Sequence, residues 1–294
     1  MSVASRPSTS VLSTASRYGA LEAAFNAQLR EWHLQRSQGA LYQLWLPPGI
    51  VFGRLRRDHY EHGKYAPLWS EWGFKSDSTR RPLRLVLRAL AGHWAVWQAR
   101  QNAQDRWVVA DGDDGNFFNA YCRAMNCFHI DPDEPTNNFP NLRLLHVIER
   151  HAPKFFKPQT LNSIHVHLPW SERVTRPRRQ ALVTPQFISD ACDALHVHGE
   201  LHIVADDEAV VEQACGALTR SRLFSPCLGF PFHARGVGSY PMGDLLRTDL
   251  AKTKEFASQQ PLFYTRWERL PPRQPNFRFQ GGKGYGESVQ KLLE

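Results

Sequence analysis

WVVADGDDGNFF, residues Trp107–Phe118, shows how this chain is built. The apolar residues 107–110 lead directly into a turn rich in glycine and aspartate, and two aromatic residues follow that turn. A short apolar run bounded by turn residues predicts a buried β-strand, and the residues after Gly115 fit the start of a helix. The stretch therefore predicts a first strand that ends in a loop of the ligand-binding type.

The same alternation of strand and helix extends along the chain. Thr184 followed by Pro185 predicts a helix start, with an N-cap and a proline at the first helical position. The predicted strands are 107–110, 127–130 (CFHI), 142–148, 161–168 and 199–206, and the predicted helices are 18–36, 83–100, 116–126, 184–195 and 208–218. This order predicts an α/β fold with a doubly wound, mostly parallel sheet. The loops at the carboxyl ends of the strands should then share one edge.

Composition restricts the class of protein. The chain has 294 residues, with 36 Lys and Arg against 28 Asp and Glu, which gives a net charge of +8. This balance favours a polyanionic partner such as RNA, and charge that serves solubility alone is the alternative. No apolar stretch approaches the roughly 20 residues that span a bilayer, so we expect no membrane span.

We interpret the cysteines and histidines of this chain as structural residues. The five cysteines form no CxxC pair, which argues against a disulfide framework and favours a reducing compartment. The thirteen histidines include His165, His167 and His202, but no HExxH or mixed Cys/His spacing accompanies them. We therefore predict no metal site and interpret these histidines as strand-edge and loop residues.

The ends of the chain differ from its middle. Residues 1–21 contain no acidic residue and are rich in Ser, Thr and Ala, which predicts a mitochondrial targeting segment. An ordinary disordered N-terminus in a cytoplasmic protein is the alternative. Residues 22–104 are predicted to be a helical and basic extension, residues 105–270 the α/β domain, and residues 271–294 a tail rich in Pro, Gly and Arg.

Three stretches of the second half carry a family resemblance. They are FPNLRLLHVIERHAPKFFKPQTLNSIHVHLPW (139–170), RPRRQALVTPQFISDACDALHVHGELHIVADDEAVVE (176–212) and YTRWERL (264–270). Residues 105–270 resemble the TrmB-like tRNA (guanine-N7) methyltransferase family. The resemblance implies a Rossmann-like class I methyltransferase fold and, in an active member, S-adenosylmethionine as the cofactor.

The first two predicted loops depart from the family pattern. Gly115 matches the last family glycine of the first loop, whereas Asp111 and Asp113 stand where glycines are expected. Glycines serve there because the cofactor must approach the backbone closely. Asp131 follows the predicted second strand and is assigned to the cofactor ribose. The short interval between Asp131 and the third strand implies that a family helix is deleted.

The later loops depart from the family as well. Residues 147–149 read Val-Ile-Glu where the family has Gly-Asp-Ala, and residues 168–170 lack the family aspartate. Asp206 and Asp207 remain after the fifth strand and would be the catalytic residues of an active enzyme. We therefore expect no cofactor and interpret three residues as remnants of a cofactor site: Gly112, Gly115 and Asp131.

Two basic clusters are the predicted RNA-binding residues. One follows the fourth strand and contains Arg173, Arg176, Arg178 and Arg179, and the other contains Arg54, Arg56 and Arg57. Arginine pairs bidentately with phosphate, and such contacts make binding depend on salt. Solvated loops whose charges face water are the alternative interpretation.

Three functions remain open from the sequence. The first is a non-catalytic RNA-binding protein on a methyltransferase scaffold, acting with ribosomal or assembly-factor proteins in mitochondrial ribosome assembly. The second is an active RNA guanine-N7 methyltransferase that uses Asp131 for the ribose and Asp206 near the base. The third is a scaffold whose basic patches bind acidic protein partners.

Overall fold

A computed structural model describes 45–46, 50–52, 81–88, 90, 92–129, 139–168, 182–236, 240 and 261–272. For the first two ranges only the backbone is described. The predicted helix 18–36, residues 1–21, both arginine clusters, Asp131 and the tail beyond 272 lie outside the described residues. In the part of the chain that is described, no helix is long and apolar enough to cross a membrane.

A ten-stranded sheet forms the centre of the molecule. Its strands are β1 (Trp45–Leu46), β2 (Ile50–Phe52), β3 (Leu83–Leu87), β4 (Arg106–Asp111), β5 (Leu142–His146), β6 (Leu161–His167), β7 (Leu195–Ala205), β8 (Phe224–Pro226), β9 (Ala234–Arg235) and β10 (Phe263–Arg269). The helices are α1 (His93–Gln101), α2 (Asp114–Cys127), α3 (Pro185–Ala194) and α4 (Glu208–Ser221), with a 3₁₀ segment at Glu149–Phe155.

The order of the strands defines the fold class. It is β1-β2-β5-β4-β3-β6-β7-β10-β8, with β9 beside β10. Strands β2, β5, β4, β3, β6 and β7 run parallel, whereas β10 is antiparallel to β7. The run β5-β4-β3-β6-β7 is the 3-2-1-4-5 order of a doubly wound nucleotide-binding sheet. The predicted Rossmann-like methyltransferase fold is confirmed.

The first strand lies earlier in the chain than the sequence predicted. Residues 83–87 form β3, the central strand, although 83–100 was predicted to be one helix. Nearly every residue of β3 is buried, so the strand shows no polar alternation that would separate it from a helix. The segment CFHI is not a strand either, because α2 continues to Cys127 and a turn follows it.

This shift of one strand explains the apparent deletion. Residues 106–111 form the second strand of the nucleotide-binding order, and α2 is the helix that connects it to the third strand, β5. No helix is missing between these two strands. The predicted domain boundary at residue 105 therefore falls inside the sheet, because β3 and α1 precede it.

Helix α3 shows why the later elements were predictable. Thr184 is its N-cap, and the threonine hydroxyl oxygen accepts a hydrogen bond from the Phe187 N–H at 3.2 Å. Pro185 occupies the first helical position, as predicted. The capping and the spacing of Phe187, Ile188 and Ala191 bury one face of the helix against the sheet.

Two apolar clusters cover the two faces of the sheet. Helices α3 and α4 and the 3₁₀ segment pack on one face, where Phe155, Phe187 and Leu218 are fully buried. Helices α1 and α2 pack on the other face, where Trp94 and Phe117 are fully buried. The parallel strands are buried on both faces, as is typical of such sheets.

Gly92 fixes the turn between β3 and α1. Its φ is +79°, in the left-handed region where a Cβ atom is unfavourable. A Cβ built there would lie 2.6 Å from the Cα atom of Ala120 in α2. Only glycine therefore allows α1 to begin where it does and to pack closely on α2.

We predict that Gly92→Ala lowers the free energy of unfolding by about 2–4 kcal/mol, because it combines left-handed strain with overlap against backbone atoms. The matched control is Gly229→Ala: Gly229 is exposed and has open space where the Cβ would lie. Urea unfolding measures both variants. Similar stabilities for the two would contradict the close approach of α1 and α2.

Candidate functional site

The candidate site lies at the carboxyl edge of the parallel strands. The strand order reverses between β3 and β6, and doubly wound sheets bind ligands in the crevice at such a switch point. The loop after β3, residues 88–92, is therefore the first turn of the nucleotide-binding order. The loop WVVADGDDGNFF follows the second strand, so it is not the first loop that the sequence indicated.

The first turn has the positive φ angles of a glycine-rich turn, although only one of the residues with positive φ is a glycine. Arg88, Leu90 and Gly92 have φ values of +66°, +53° and +79°. The spacing of the first two matches the first two glycines of a G-x-G-x-x-G turn. A side chain at positive φ costs roughly 1 kcal/mol, and such strain persists only where the surrounding structure holds it.

The side chains of Arg88 and Leu90 are buried at this edge. Arg88 is 7% exposed and Leu90 is 2% exposed, and Leu90 packs in the cluster that includes Trp94. The Arg88 backbone N–H donates to the Ala110 carbonyl at 2.9 Å, which ties the turn to β4. These two side chains occupy the position where glycines would leave the backbone open to a cofactor.

Leu168 joins the ends of three strands. Its carbonyl oxygen accepts a hydrogen bond from Nη1 of Arg88, and its own N–H donates to the Val204 carbonyl at 2.7 Å. Leu168 has φ +44°, so it also holds a left-handed conformation. The ends of β3, β6 and β7 are thereby bonded to one another across the switch point.

Asp111 occupies the position of a ribose-binding acid. It is the last residue of β4, roughly 20 residues beyond the first turn, where an acid holds the ribose in doubly wound folds. Asp111 is fully buried, and its Oδ1 atom accepts a hydrogen bond from the Asp113 N–H at 2.8 Å. The sequence assigned this role to Asp131, which lies outside the described residues.

The predicted remnant glycines serve the second loop. Gly112 packs against the next strand end, because a Cβ there would lie 3.1 Å from the Val147 carbonyl oxygen. Gly115 lies in the first turn of α2, and neither glycine has a positive φ. Asp113 caps α2, with its Oδ1 accepting from the Asn116 N–H at 2.9 Å. The predicted binding role of Gly112 and Gly115 stays a prediction.

The remaining loops complete the edge. Ile148, after the third strand, is 56% exposed, which is unusual for an isoleucine beside a buried sheet. Asp206 follows β7, and Asp207 caps α4 by accepting from the Ala209 N–H at 2.9 Å. The catalytic role predicted for Asp206 and Asp207 in an active enzyme stays a prediction, as does the RNA-binding role of the two arginine clusters.

Sequence reasoning missed a buried cluster of polar rings behind the first turn. His165, His167 and His202 are 2–4% exposed, so they are not the strand-edge and loop residues that we predicted. The rings of His165 and His202 stack at 4.4 Å, and the Tyr264 hydroxyl lies 2.9 Å from Nδ1 of His202. The alternation I-H-V-H-L on β6 was the available signal, because it places both β6 histidines on one face.

The cluster histidines are held in the neutral form. Burial lowers the pKa of His167 to about 3 and the pKa of His165 well below its usual range. Burial also lowers the pKa of His202, although the hydrogen bond from Nε2 to Glu200 opposes that shift. Neutral imidazoles can donate through one nitrogen and accept through the other.

One group of described residues has metal-ligand chemistry. Glu208, Glu212 and His233 could each offer a ligand atom, all within 4.8 Å of one another. Both glutamates are exposed, and Oε1 of Glu208 already lies 2.9 Å from Nε2 of His233. The prediction that the protein has no metal site stays untested.

Fold and switch-point site together define a class I methyltransferase scaffold. A family model described as "Putative methyltransferase" matches residues 91–227. Residues 91–227 therefore resemble this methyltransferase family, and the predicted resemblance to the TrmB-like branch is confirmed. The match begins directly after Leu90, so Arg88 and Leu90, the two residues that stand at glycine positions of the first turn, precede it. No curated protein matches the chain.

Solved structures of methyltransferases resemble the chain at low identity. One is a variant of the 16S rRNA (adenine(1408)-N(1))-methyltransferase from Catenulisporales acidiphilia, with 13% identity, coverage of 80% of this chain and 100% of that chain, and a TM-score of 0.46. Another is the 16S rRNA methyltransferase KamB, with 11% identity, coverage of 77% and 100%, and a TM-score of 0.45. A third is an antibiotic-related methyltransferase, with 13% identity, coverage of 74% and 96%, and a TM-score of 0.44.

We predict that stability falls as the pH drops below about 6.5. The folded pKa values of His165, His167 and His202 lie below the unfolded value, so the unfolded chain binds more protons in acid. Between pH 7.5 and 5.5 His165 and His167 should each lower the free energy of unfolding by about 1.4 kcal/mol, and His202 should add to this loss in the same direction. Above pH 7.5 the three imidazoles are neutral in both states and contribute no pH dependence.

Urea unfolding at a series of pH values measures this dependence. The charged groups that face the cluster are Glu200, Arg84, Arg88 and Arg266. Glu200 stays ionised between pH 7.5 and 5.5, because its hydrogen bond with His202 lowers its pKa further. His202→Gln removes one of the three titrating imidazoles, so it should reduce the loss of unfolding free energy between pH 7.5 and 5.5. An unfolding free energy that is flat from pH 7.5 to 5.5 would mean that the imidazoles are not held neutral.

Proposed function

We propose that this protein binds RNA on a methyltransferase scaffold whose cofactor site is closed by its own side chains. The observation that carries the proposal is the first turn, where Arg88 and Leu90 stand at left-handed positions and are buried. A turn of this kind holds a cofactor by leaving its backbone open to close approach. Here two side chains fill that approach, and one of them is bonded across the switch point to Leu168.

Charge supports the same conclusion. S-adenosylmethionine carries a sulfonium cation, and the Arg88 guanidinium places a second positive charge at the same end of the sheet. Like charges repel strongly where water is excluded. Asp111 is the described carboxylate at the ribose position, and it already accepts a hydrogen bond from its own loop.

The loss of cofactor contacts is large enough to abolish binding. A hydrogen bond to a charged group contributes roughly 1.5–3 kcal/mol. Losing two or three of them would cost about 3–9 kcal/mol, which is roughly a 10²- to 10⁶-fold loss of affinity. A micromolar site would then be empty at cellular cofactor concentrations.

One observation favours a second function, an active RNA guanine-N7 methyltransferase. Asp111 and Asp206 both remain at the carboxyl edge, and they are residue types suited to the ribose and to the target base. This function requires Arg88 to leave the first turn before the cofactor enters. It would then make S-adenosylmethionine the cofactor and Asp206 and Asp207 the catalytic residues.

RNA is the partner that the charge and the family resemblance favour. The net charge is +8, and the cluster Arg173, Arg176, Arg178 and Arg179 follows the fourth strand directly in sequence. Loops that follow parallel strands reach the carboxyl edge, so this cluster is suited to hold RNA phosphates beside the closed site. A scaffold for acidic proteins would use the same charges without dependence on RNA.

The cellular setting is part of the proposal. The acid-free segment 1–21 and the basic extensions fit a mitochondrial protein that works with ribosomal or assembly-factor proteins. Ribosome assembly suits a protein that holds structured RNA without modifying it. Imaging of the chain with a C-terminal fluorescent fusion tests this setting, and cytoplasmic fluorescence would overturn it.

We predict that Arg178→Ala with Arg179→Ala weakens binding to an unmodified tRNA transcript and reduces its salt dependence. Removing two phosphate contacts should lower the slope of log K against log salt by about 1.4–1.8. The measurement is a fluorescence anisotropy titration at several salt concentrations. An unchanged slope would mean that this cluster does not bind RNA.

The matched control removes two other positive charges. Lys157 and Arg220 are exposed, and both lie toward the opposite edge of the sheet, because Lys157 precedes β6 and Arg220 lies in the last turn of α4. Lys157→Ala with Arg220→Ala should leave the slope unchanged. Methyl transfer from labelled S-adenosylmethionine to the bound RNA would instead establish the active enzyme.

A further inference from the structure

Tyr240 contacts the two segments that flank the first turn. It is a fully buried residue of the connection between β9 and β10, and its ring stacks on Trp94 of α1 at 5.2 Å with an angle of 15°. Its hydroxyl lies 2.7 Å from Nε2 of His167 and 3.1 Å from Nδ1 of His165. One side chain thus reaches α1, where the turn ends, and β6, which is bonded to the start of the turn.

His167 carries the contact to the turn itself. His167 directly precedes Leu168, whose carbonyl oxygen accepts a hydrogen bond from Nη1 of Arg88. The Tyr240 hydroxyl has one proton and lies within hydrogen-bond distance of a ring nitrogen of His167 and of His165. The hydroxyl therefore donates to one of the two rings and accepts from the other.

The hydrogen bonds continue from His165 to β3. The Nδ1 atom of His165 bonds the Tyr240 hydroxyl, and its Nε2 atom lies 2.9 Å from the Ser163 hydroxyl. The Ser163 oxygen in turn accepts from Nη1 of Arg84 at 3.2 Å. Arg84 is fixed by Asp105, whose carboxylate lies 2.6 Å from its Nε atom. Because Arg84 belongs to β3, this chain of hydrogen bonds links Tyr240 to the strand that leads into the first turn.

We infer that Tyr240 holds the first turn closed from the side of α1. Its hydroxyl couples the tautomers of two neutral histidines on β6, and His167 adjoins the Leu168 carbonyl that bonds Arg88. Its ring holds α1 against the sheet through Trp94. Tyr240 therefore stabilises the closed state of the candidate cofactor site, whether or not the protein binds RNA.

Two backbone amides report directly on the state of the turn. The Arg88 N–H donates to Ala110 at 2.9 Å, and the Val96 N–H donates to Gly92 at 3.0 Å. Local opening of the turn breaks both bonds and exposes both amides to exchange. Tyr240→Phe removes the hydroxyl but keeps the stacking on Trp94, so it tests the hydrogen bonds to His165 and His167 without creating a cavity.

We expect hydrogen exchange at both amides to be about tenfold faster in Tyr240→Phe than in the unaltered protein. The matched control is Tyr264→Phe, which removes another buried hydroxyl on the same sheet face, the one that bonds His202. Tyr264→Phe should leave the exchange rates of both amides unchanged. The exchange rates of the α4 amides, on the opposite face of the sheet, should be unchanged in both variants. Equal exchange rates of these two amides in all three proteins would overturn the inference that Tyr240 holds the turn closed.

A second measurement needs no variant. Nitrogen chemical shifts of the histidine rings distinguish the two neutral tautomers, and the shared Tyr240 hydroxyl requires His165 and His167 to carry the proton on the same nitrogen, both on Nδ1 or both on Nε2. Different tautomers at the two rings would break the coupling through Tyr240 and overturn the inference. This holds even if Tyr240→Phe proves too unstable for exchange measurements.

Discussion

The structure depends on the left-handed backbone of the turn between β3 and α1. The chain must leave the central strand and enter a helix packed on the same sheet, and this takes positive φ at residues 88, 90 and 92. Glycine is required only at Gly92, where a Cβ would overlap Ala120. Arg88 and Leu90 accept the strain of roughly 1 kcal/mol each, and both side chains are buried at the switch point.

The rest of the carboxyl edge is organised around these two side chains. Leu168 accepts a hydrogen bond from Arg88 and donates to Val204, so the fourth and fifth strands of the nucleotide-binding order are bonded to the first. Asp111 remains at the ribose position but is buried and bonded to its own loop. His167 and Tyr240 support the turn from the side of α1. Among the described residues, the loops of this edge are thus held by mutual contacts.

The later part of the fold could be predicted because its signals are local. Thr184 and Pro185 mark α3, and the apolar runs of β6 and β7 are bounded by turn residues. The first strand could not be predicted, because LRLVL is buried on both faces and runs through a short turn into an apolar helix. That error moved the first turn to residues 111–115 and assigned glycine positions to Asp111 and Asp113, which are an edge acid and a helix cap. The contacts of Tyr240 with these histidines could not be predicted, because 73 and 75 residues separate the partners.

Exclusion of the cofactor by Arg88 and Leu90 is the central proposal. Isothermal titration of the purified full-length protein with S-adenosylmethionine tests it most directly. We predict no heat of binding up to millimolar cofactor. We also predict no rise in melting temperature, although a ligand at 1,000 times its Kd would stabilise the fold by about 4 kcal/mol. Saturable binding at micromolar concentration would contradict it and would favour the active methyltransferase.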